Sequence, residues 1–170
     1  MAKPRLALDT AVVIDAMSPA PAEDPARRRL WSDARDLVAC DRYDLCLPVP
    51  VFFEVLAGVD EDKREAVSDA LRQRFILFPF DVVAAEFGLR RMNKRDIKLI
   101  AADADRSRHA VKVDWMIVGI AVRENVSLCT RDDRQAKHFR RIAPTGLRTG
   151  PPSDFLQSVN RSLALGGDEP

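Results

Sequence analysis

The stretch "RLALDTAVVIDAM", residues 5–17, decides how the rest of the chain reads. A short apolar run, RLAL, is followed by an acid, Asp9, and then by a segment of helical period over residues 11–17, so a strand feeds a helix across a carboxylate. The same change of rhythm recurs along the chain. A Pro-rich loop, "SPAPAEDPA", leads into a helix over residues 27–40, and "DLCLPV" reads as a second strand. Helices over residues 51–56 and 61–74 precede a third strand in "FILFPF". The segment "VVAAEFGLRRMNKRDIKLIAADADRSR" reads as one long or broken helix, and an apolar helix over residues 114–123 follows it. The strand "VSLCT", a helix over residues 132–138 and a short strand near "GLRT" complete the series. This alternation predicts an α/β fold, a parallel sheet with helices on both faces, whose ligands sit beyond the carboxyl ends of the strands. Asp9 falls directly after the first strand and Asp132 just after "SLCT", so two carboxylates land at that edge.

The 170 residues, 46% hydrophobic and 31% charged, fit one ordinary soluble domain with a proper core. That domain is expected over residues 1–149. Residues 150–170, which carry Pro, Gly and Ser and end in "GGDEP", are expected to form a loosely packed tail. The net charge of +1 gives the chain as a whole no attraction for nucleic acid or a membrane, so such affinity has to come from local patches. Cys40, Cys46 and Cys129 are odd in number, lie in apolar surroundings and lack C-x-x-C spacing. They read as buried thiols of a reducing cytoplasm. Lys3 and Arg5, ahead of an apolar stretch that reaches "APA" at residues 20–22, mimic an export signal, but Asp9 and Asp15 interrupt it. No run approaches the length that spans a bilayer. A soluble cytoplasmic protein is expected.

Four acids stand out against this background. Glu54 in "PVPVFFEVLAGV" is flanked on its helix by Val51, Phe52, Val55 and Leu56, and burying a lone carboxylate is costly unless something pairs with it. An Arg or Lys of another helix, or a place at a helix edge, would account for it. Asp114 opens a helix that is apolar nearly all round, where an N-cap would account for it. Residues 130–133 match the capping box [ST]-x-x-[DE], so Asp132 or Asp133 could simply start a helix. Asp9 could make an Asx-turn after its strand. Singly, none of the four points to function. Together, they sit at strand ends or on apolar helices, in an order that a parallel sheet could gather at one edge.

The stretches "LALDTAVVIDAM", "PVPVFFEVLAGV", "VDWMIVGIAV" and "SLCTRDDRQAKHF" resemble, in order and spacing, the four acidic motifs of PIN-domain nucleases, in particular the VapC-type toxins of toxin–antitoxin pairs. The resemblance spans residues 6–139. It implies a PIN-like three-layer α/β/α sandwich with a mostly parallel central sheet, and an endoribonuclease that depends on Mg²⁺ or Mn²⁺. On this resemblance Asp9, Glu54, Asp114 and Asp132 are the catalytic and metal-binding carboxylates, supported by Thr10, Thr130 and Asp133. An antitoxin whose peptide wraps the body and plugs the acidic site, and a homodimer, are the implied partners. The chain departs from the family at Ala11, where Asn or Ser is usual. Residues 93–108 and the loop around residues 18–27 also look longer than the family's connections.

Such a grouping has a physical logic. Two carboxylates ~5 Å apart repel by about 3 kcal/mol at an effective dielectric of about 20, or roughly two pKa units per pair. A divalent cation removes the conflict, and hard oxygen ligands select Mg²⁺ or Mn²⁺ over softer metals. Holding RNA against this negative cluster requires basic residues nearby. Arg131 and Arg134 flank Asp132, in a group with Arg140 and Arg141; Arg90, Arg91 and Lys94 share a helical stripe with Arg95 and Lys98. These are the candidate RNA contacts, and Arg27, Arg28 and Arg29 form a further cluster. An aromatic content of 6% argues against base-stacking platforms. His109 and His138 lack the spacing and partners of a zinc site or a general base. G-x-S-x-G, Walker A and G-x-G-x-x-G sequences are missing, which leaves acyl transfer, nucleotide hydrolysis and Rossmann cofactor chemistry without support. Three readings remain: a toxin ribonuclease, a PIN nuclease of RNA processing outside a toxin pair, and a PIN-like RNA-binding or assembly module that has lost catalysis.

Overall fold

The computed structural model describes residues 2–21, 24–89 and 108–157, with residues 108–111 as backbone only. Its strands are β1 Arg5–Leu8, β2 Asp44–Pro48, β3 Ile76–Phe78, β4 Ser127–Cys129 and β5 Thr149–Gly150. They form one sheet in the order β3-β2-β1-β4-β5, and every pairing is parallel. Leu6, Ala7 and Leu8 of β1 and Leu45, Cys46 and Leu47 of β2 are buried, the continuous apolar run of strands covered on both faces. The covering helices are α1 Thr10–Met17, α2 Pro25–Ala39, α3 Val49–Ala57, α4 Arg64–Arg74, α5 Val82–Leu89, α6 Arg108–Arg123 and α7 Asp133–Ile142. The result is the expected three-layer α/β/α sandwich.

The order of the strands positions the site. The chain lays β1, β2 and β3 side by side in one direction and then returns to place β4 on the other side of β1. This reversal leaves a crevice beyond the carboxyl ends of β1 and β4, where open parallel sheets hold their ligands. Asp9 N–H donates to Cys129 O at 3.0 Å and Thr130 N–H to Gly150 O at 2.9 Å, so the strand ends are tied to one another at the crevice floor.

Two helices differ from their sequence reading in ways that matter. α6 begins at Arg108 rather than at Asp114. Its first turns lack the all-round apolar pattern, with Lys112 exposed, yet Arg, Ala and Lys are strong helix formers. Asp114 is therefore an interior helical residue and not the N-cap of its helix. At α7 the capping box does not form: Asp132, not Thr130, is the N-cap, and the helix runs on past His138 to Ile142. The segment read as a helix over residues 61–74 starts as a 3-10 turn, Glu61–Lys63, before α4. Residues 90–107 lie outside the described residues, and with them Arg90, Arg91, Lys94, Arg95 and Lys98; His109 is described as backbone only.

The helix carrying Asp114 is set by a close approach. A Cβ at Gly119 would lie 2.3 Å from Ala84 O, and one at Gly88 would lie 3.0 Å from Trp115 O, so α5 and α6 touch backbone to backbone. Residues 152–157 are helical, with Phe155 in the core. The Tyr43 ring meets Phe155 edge-on at 6.2 Å, and its hydroxyl donates to Phe155 O at 3.2 Å. All three cysteines are free thiols. Burial pushes Cys46 up to about 11 and raises Cys129 as well, while Cys40 is only half-buried. No helix among the described residues is long and apolar enough to cross a membrane.

Candidate active site

Asp9 ends β1 and caps α1. Its Oδ1 accepts from Thr10 N–H at 2.8 Å, and its Oδ2 accepts from the Thr130 hydroxyl at 3.0 Å. The residue is 7% exposed. Burial lifts its carboxyl above the usual range; bonds from Thr130 and Thr10 and the nearby Gln135 amide oppose that rise, and the Asp132 charge adds to it. Thr130 is buried, and its hydroxyl serves two acids at once, donating to Asp9 and accepting from Asp132 N–H at 3.0 Å.

Asp132 follows β4 as the N-cap of α7, its Oδ1 accepting from Arg134 N–H at 2.8 Å and Gln135 N–H at 3.2 Å. Capping is thus a real structural role for this acid. Asp133 occupies the first turn, where negative charge suits the helix dipole, and is exposed. Glu54, half-buried on α3, accepts through Oε2 from the Thr10 hydroxyl of α1. Among the described residues it forms no ion pair with an Arg or Lys, so the cation that would have given it a purely structural role is missing there. Asp114 projects from α6 and is half-buried.

Asp9, Glu54, Asp114 and Asp132 line one open cleft of about 940 Å³, with Thr10 and Thr130. Asp133, Arg131, Arg134 and Arg140 also reach its wall. Arg131 is already engaged: its Nη1 pairs with Asp15 Oδ2 at 2.6 Å and its Nη2 donates to Ala11 O at 3.4 Å, pinning the β4–α7 loop to α1. Arg27 lines a separate hollow with Asp15, Asp24 and Trp31.

Three residues of this neighbourhood escaped the sequence reading. Asp15 looked like an interruption of an apolar stretch, and it is the partner of Arg131. Asp154, in the segment read as a tail, lines the same cleft. Its carboxylate occupies room left by Gly150, where a Cβ would lie 2.2 Å from Oδ2. Gln135, buried beside Asp9, carries no local signal of its position.

Among the described residues, no group of three acidic, His or Cys side chains stands in metal-holding geometry. The donor set nevertheless suits a hard divalent cation, because it is made of carboxylate oxygens. Asp9, whose ionised form is disfavoured by burial and by the Asp132 charge, is the kind of group that a cation would relieve.

The PIN domain profile matches residues 6–143. The chain belongs to the PIN domain family. Asp9, Glu54, Asp114 and Asp132 fall inside the matched span, and Asp154 falls outside it. Solved structures with the same fold include VapBC-1 from nontypeable Haemophilus influenzae, with a TM-score of 0.57 at 13% identity over 87% of this chain and 98% of that one. VapBC2 from Rickettsia felis, bound to a DNA fragment from its promoter, gives 0.53 at 17% identity over 86% and 97%. A toxin–antitoxin complex from Klebsiella pneumoniae gives 0.53 at 16% identity over 86% and 97%. At these identities the likeness speaks for the fold of this PIN domain. None of the curated proteins compared matches the chain.

Proposed function

We propose that this PIN domain is a divalent-metal-dependent endoribonuclease, the toxin of a toxin–antitoxin pair, acting in the cytoplasm. One observation carries the reading: Asp9, Glu54, Asp114 and Asp132 come from four separate segments and line one cleft at the switch point of the sheet. For Glu54 no ion pair accounts for the position among the described residues, and Asp114, inside its helix, is no N-cap. These four acids are the proposed ligands of Mg²⁺ or Mn²⁺, which when bound supplies positive charge at the scissile phosphate and a water of lowered pKa.

The chain's own residues prepare that site. Thr130 and Thr10 N–H fix both oxygens of Asp9 and favour its ionised form. The Thr10 hydroxyl orients Glu54, and the cap bonds fix Asp132. Arg134 and Arg140, on the cleft wall, bind RNA phosphates; Arg131, held by Asp15, adds positive field at the same edge. Hydrolysis of the RNA phosphodiester leaves a 5′-phosphate and a 3′-hydroxyl.

Ile14, 44% exposed, and Leu30, 36% exposed, give the acidic cleft an apolar rim. That combination suits an antitoxin peptide bringing apolar side chains and a cation. The toxin–antitoxin complexes of similar fold support this partner over an RNA-processing role. Val82, Val83 and Leu89 expose an apolar face on α5 that supports a homodimer.

Purified protein incubated with total RNA, with and without Mg²⁺, tests the reading once the cut ends are mapped. Cleavage that needs the metal and disappears in Asp114→Asn is expected, as is growth arrest when the chain is expressed alone. Full activity in excess chelator, or an unimpaired Asp114→Asn, rejects the mechanism. Harmless expression of an active chain rejects the toxin role.

A further inference from the structure

Gln135, on the first turn of α7, is 1% exposed, and neither its Nε2 nor its Oε1 has a hydrogen-bond partner among the described residues. A buried donor or acceptor left unsatisfied costs about 1–3 kcal/mol. Leucine or methionine would fill similar space without that cost. A buried amide of this kind calls for a reason other than packing. Its surroundings supply one. The amide lies close enough to Asp9 to favour the ionised carboxylate, though it falls short of hydrogen-bond geometry. Its backbone N–H is already committed to Asp132 Oδ1.

A second orphan stands nearby. Residues three apart on a helix share a face, and His138, three positions after Gln135, packs its ring against Trp115 of α6 at 4.3 Å between centroids. Trp115 Nε1, a donor, is also buried without a partner among the described residues. Trp115 directly follows Asp114 in the chain. Among the described residues an unpaired acceptor on α7 and an unpaired donor on α6 thus lie on two packed helices, one carrying Asp114 and the other capped by Asp132.

We propose that Gln135 is a positioning residue for the acidic site, its Nε2 donating to the Asp9 carboxylate and its Oε1 accepting from the Trp115 indole when the site closes around a cation. Gln135 touches neither RNA nor metal; it ties together the elements that carry Asp9, Asp114 and Asp132. The inference rests on the metal-dependent reading above.

Partners that hold metal ligands in place typically cost about 10–100-fold in metal affinity when removed. Mn²⁺ affinity by titration calorimetry and metal-free melting temperature are measured for the wild type, Gln135→Met and Gln135→Leu. Both variants are expected to stay folded without metal and to bind Mn²⁺ at least about tenfold more weakly. Variants that keep wild-type Mn²⁺ affinity, whatever their melting temperature, assign Gln135 to packing and overturn the inference alone. Loss of the fold in both variants overturns it in the same way. A wild type that binds no Mn²⁺ removes the metal-dependent reading, and this inference with it.

Discussion

Replacing Asp9 by Asn is expected to stabilise the metal-free protein and to abolish its stabilisation by metal. Asp9 is 7% exposed, and burial raises its carboxyl above the ordinary value, with the Asp132 charge adding to the rise and bonds from Thr130 and Thr10 opposing it. A carboxyl raised by folding binds its proton more tightly in the native state, so ionised Asp9 weakens the metal-free fold at neutral pH. That cost is absent below the ordinary carboxylate range, where both states are protonated, and it grows as pH rises towards the raised value and stays constant above it. Each unit of that window corresponds to about 1.4 kcal/mol. The neutral amide keeps an acceptor for Thr10 N–H, but its NH2 group replaces Oδ2 and cannot accept from the Thr130 hydroxyl, so that bond has to reverse, a loss of about 1 kcal/mol. The net gain at neutral pH raises Tm, by about 2–4 °C for each kcal/mol in a chain of this size. Circular dichroism melts in chelator across the acid and neutral range measure it, and the difference should vanish in acid. In Mn²⁺ at about 100 times its Kd, the wild type gains about 2.7 kcal/mol and the variant should not follow. A variant that melts below the wild type in chelator at neutral pH, or whose advantage persists unchanged in acid, refutes the reasoning.

Thr10→Val removes the hydroxyl that orients Glu54; Mg²⁺-dependent cleavage should fall about tenfold while the melting temperature changes little. Arg134→Ala should weaken RNA binding evenly across sequences and lower the slope of log affinity against log salt by about 1, with Mn²⁺ affinity unchanged; filter binding at several salt concentrations measures this. Gly119→Ala drives a methyl group into Ala84 O, at 2.3 Å as the helices stand. It should cost about 1–3 kcal/mol in urea denaturation.

The sheet was legible because its central strands are buried on both faces, so "LAL", "LCL" and "SLC" stand out as short apolar runs between turn residues. Asp9 and Asp132 were legible as acids at strand ends, since the sequence position of a strand end is also its position at the sheet edge. Asp114 reads in the sequence as the residue that opens its helix, and that part of the reading does not hold. Its helix starts at Arg108, and the N-cap that would have explained the acid away does not exist. Thr130 matched a cap pattern, and its hydroxyl instead bridges Asp9 and Asp132, a use that depends on β1 and β4 being neighbours. Asp15, Gln135 and Asp154 were illegible because their roles are tertiary. Asp15 is defined by Arg131 at the far end of the chain, Gln135 by Asp9, and Asp154 by the room that Gly150 leaves. Local pattern encodes which face of an element is apolar, but not which distant side chain a buried polar group will meet.

Crystals grown with Mn²⁺, with diffraction recorded at the manganese absorption edge, test most directly whether the four carboxylates share a cation. An anomalous peak bounded by Asp9, Glu54, Asp114 and Asp132 is the predicted result. Manganese bound only elsewhere on the molecule, or a cleft that stays empty at saturating Mn²⁺, contradicts it.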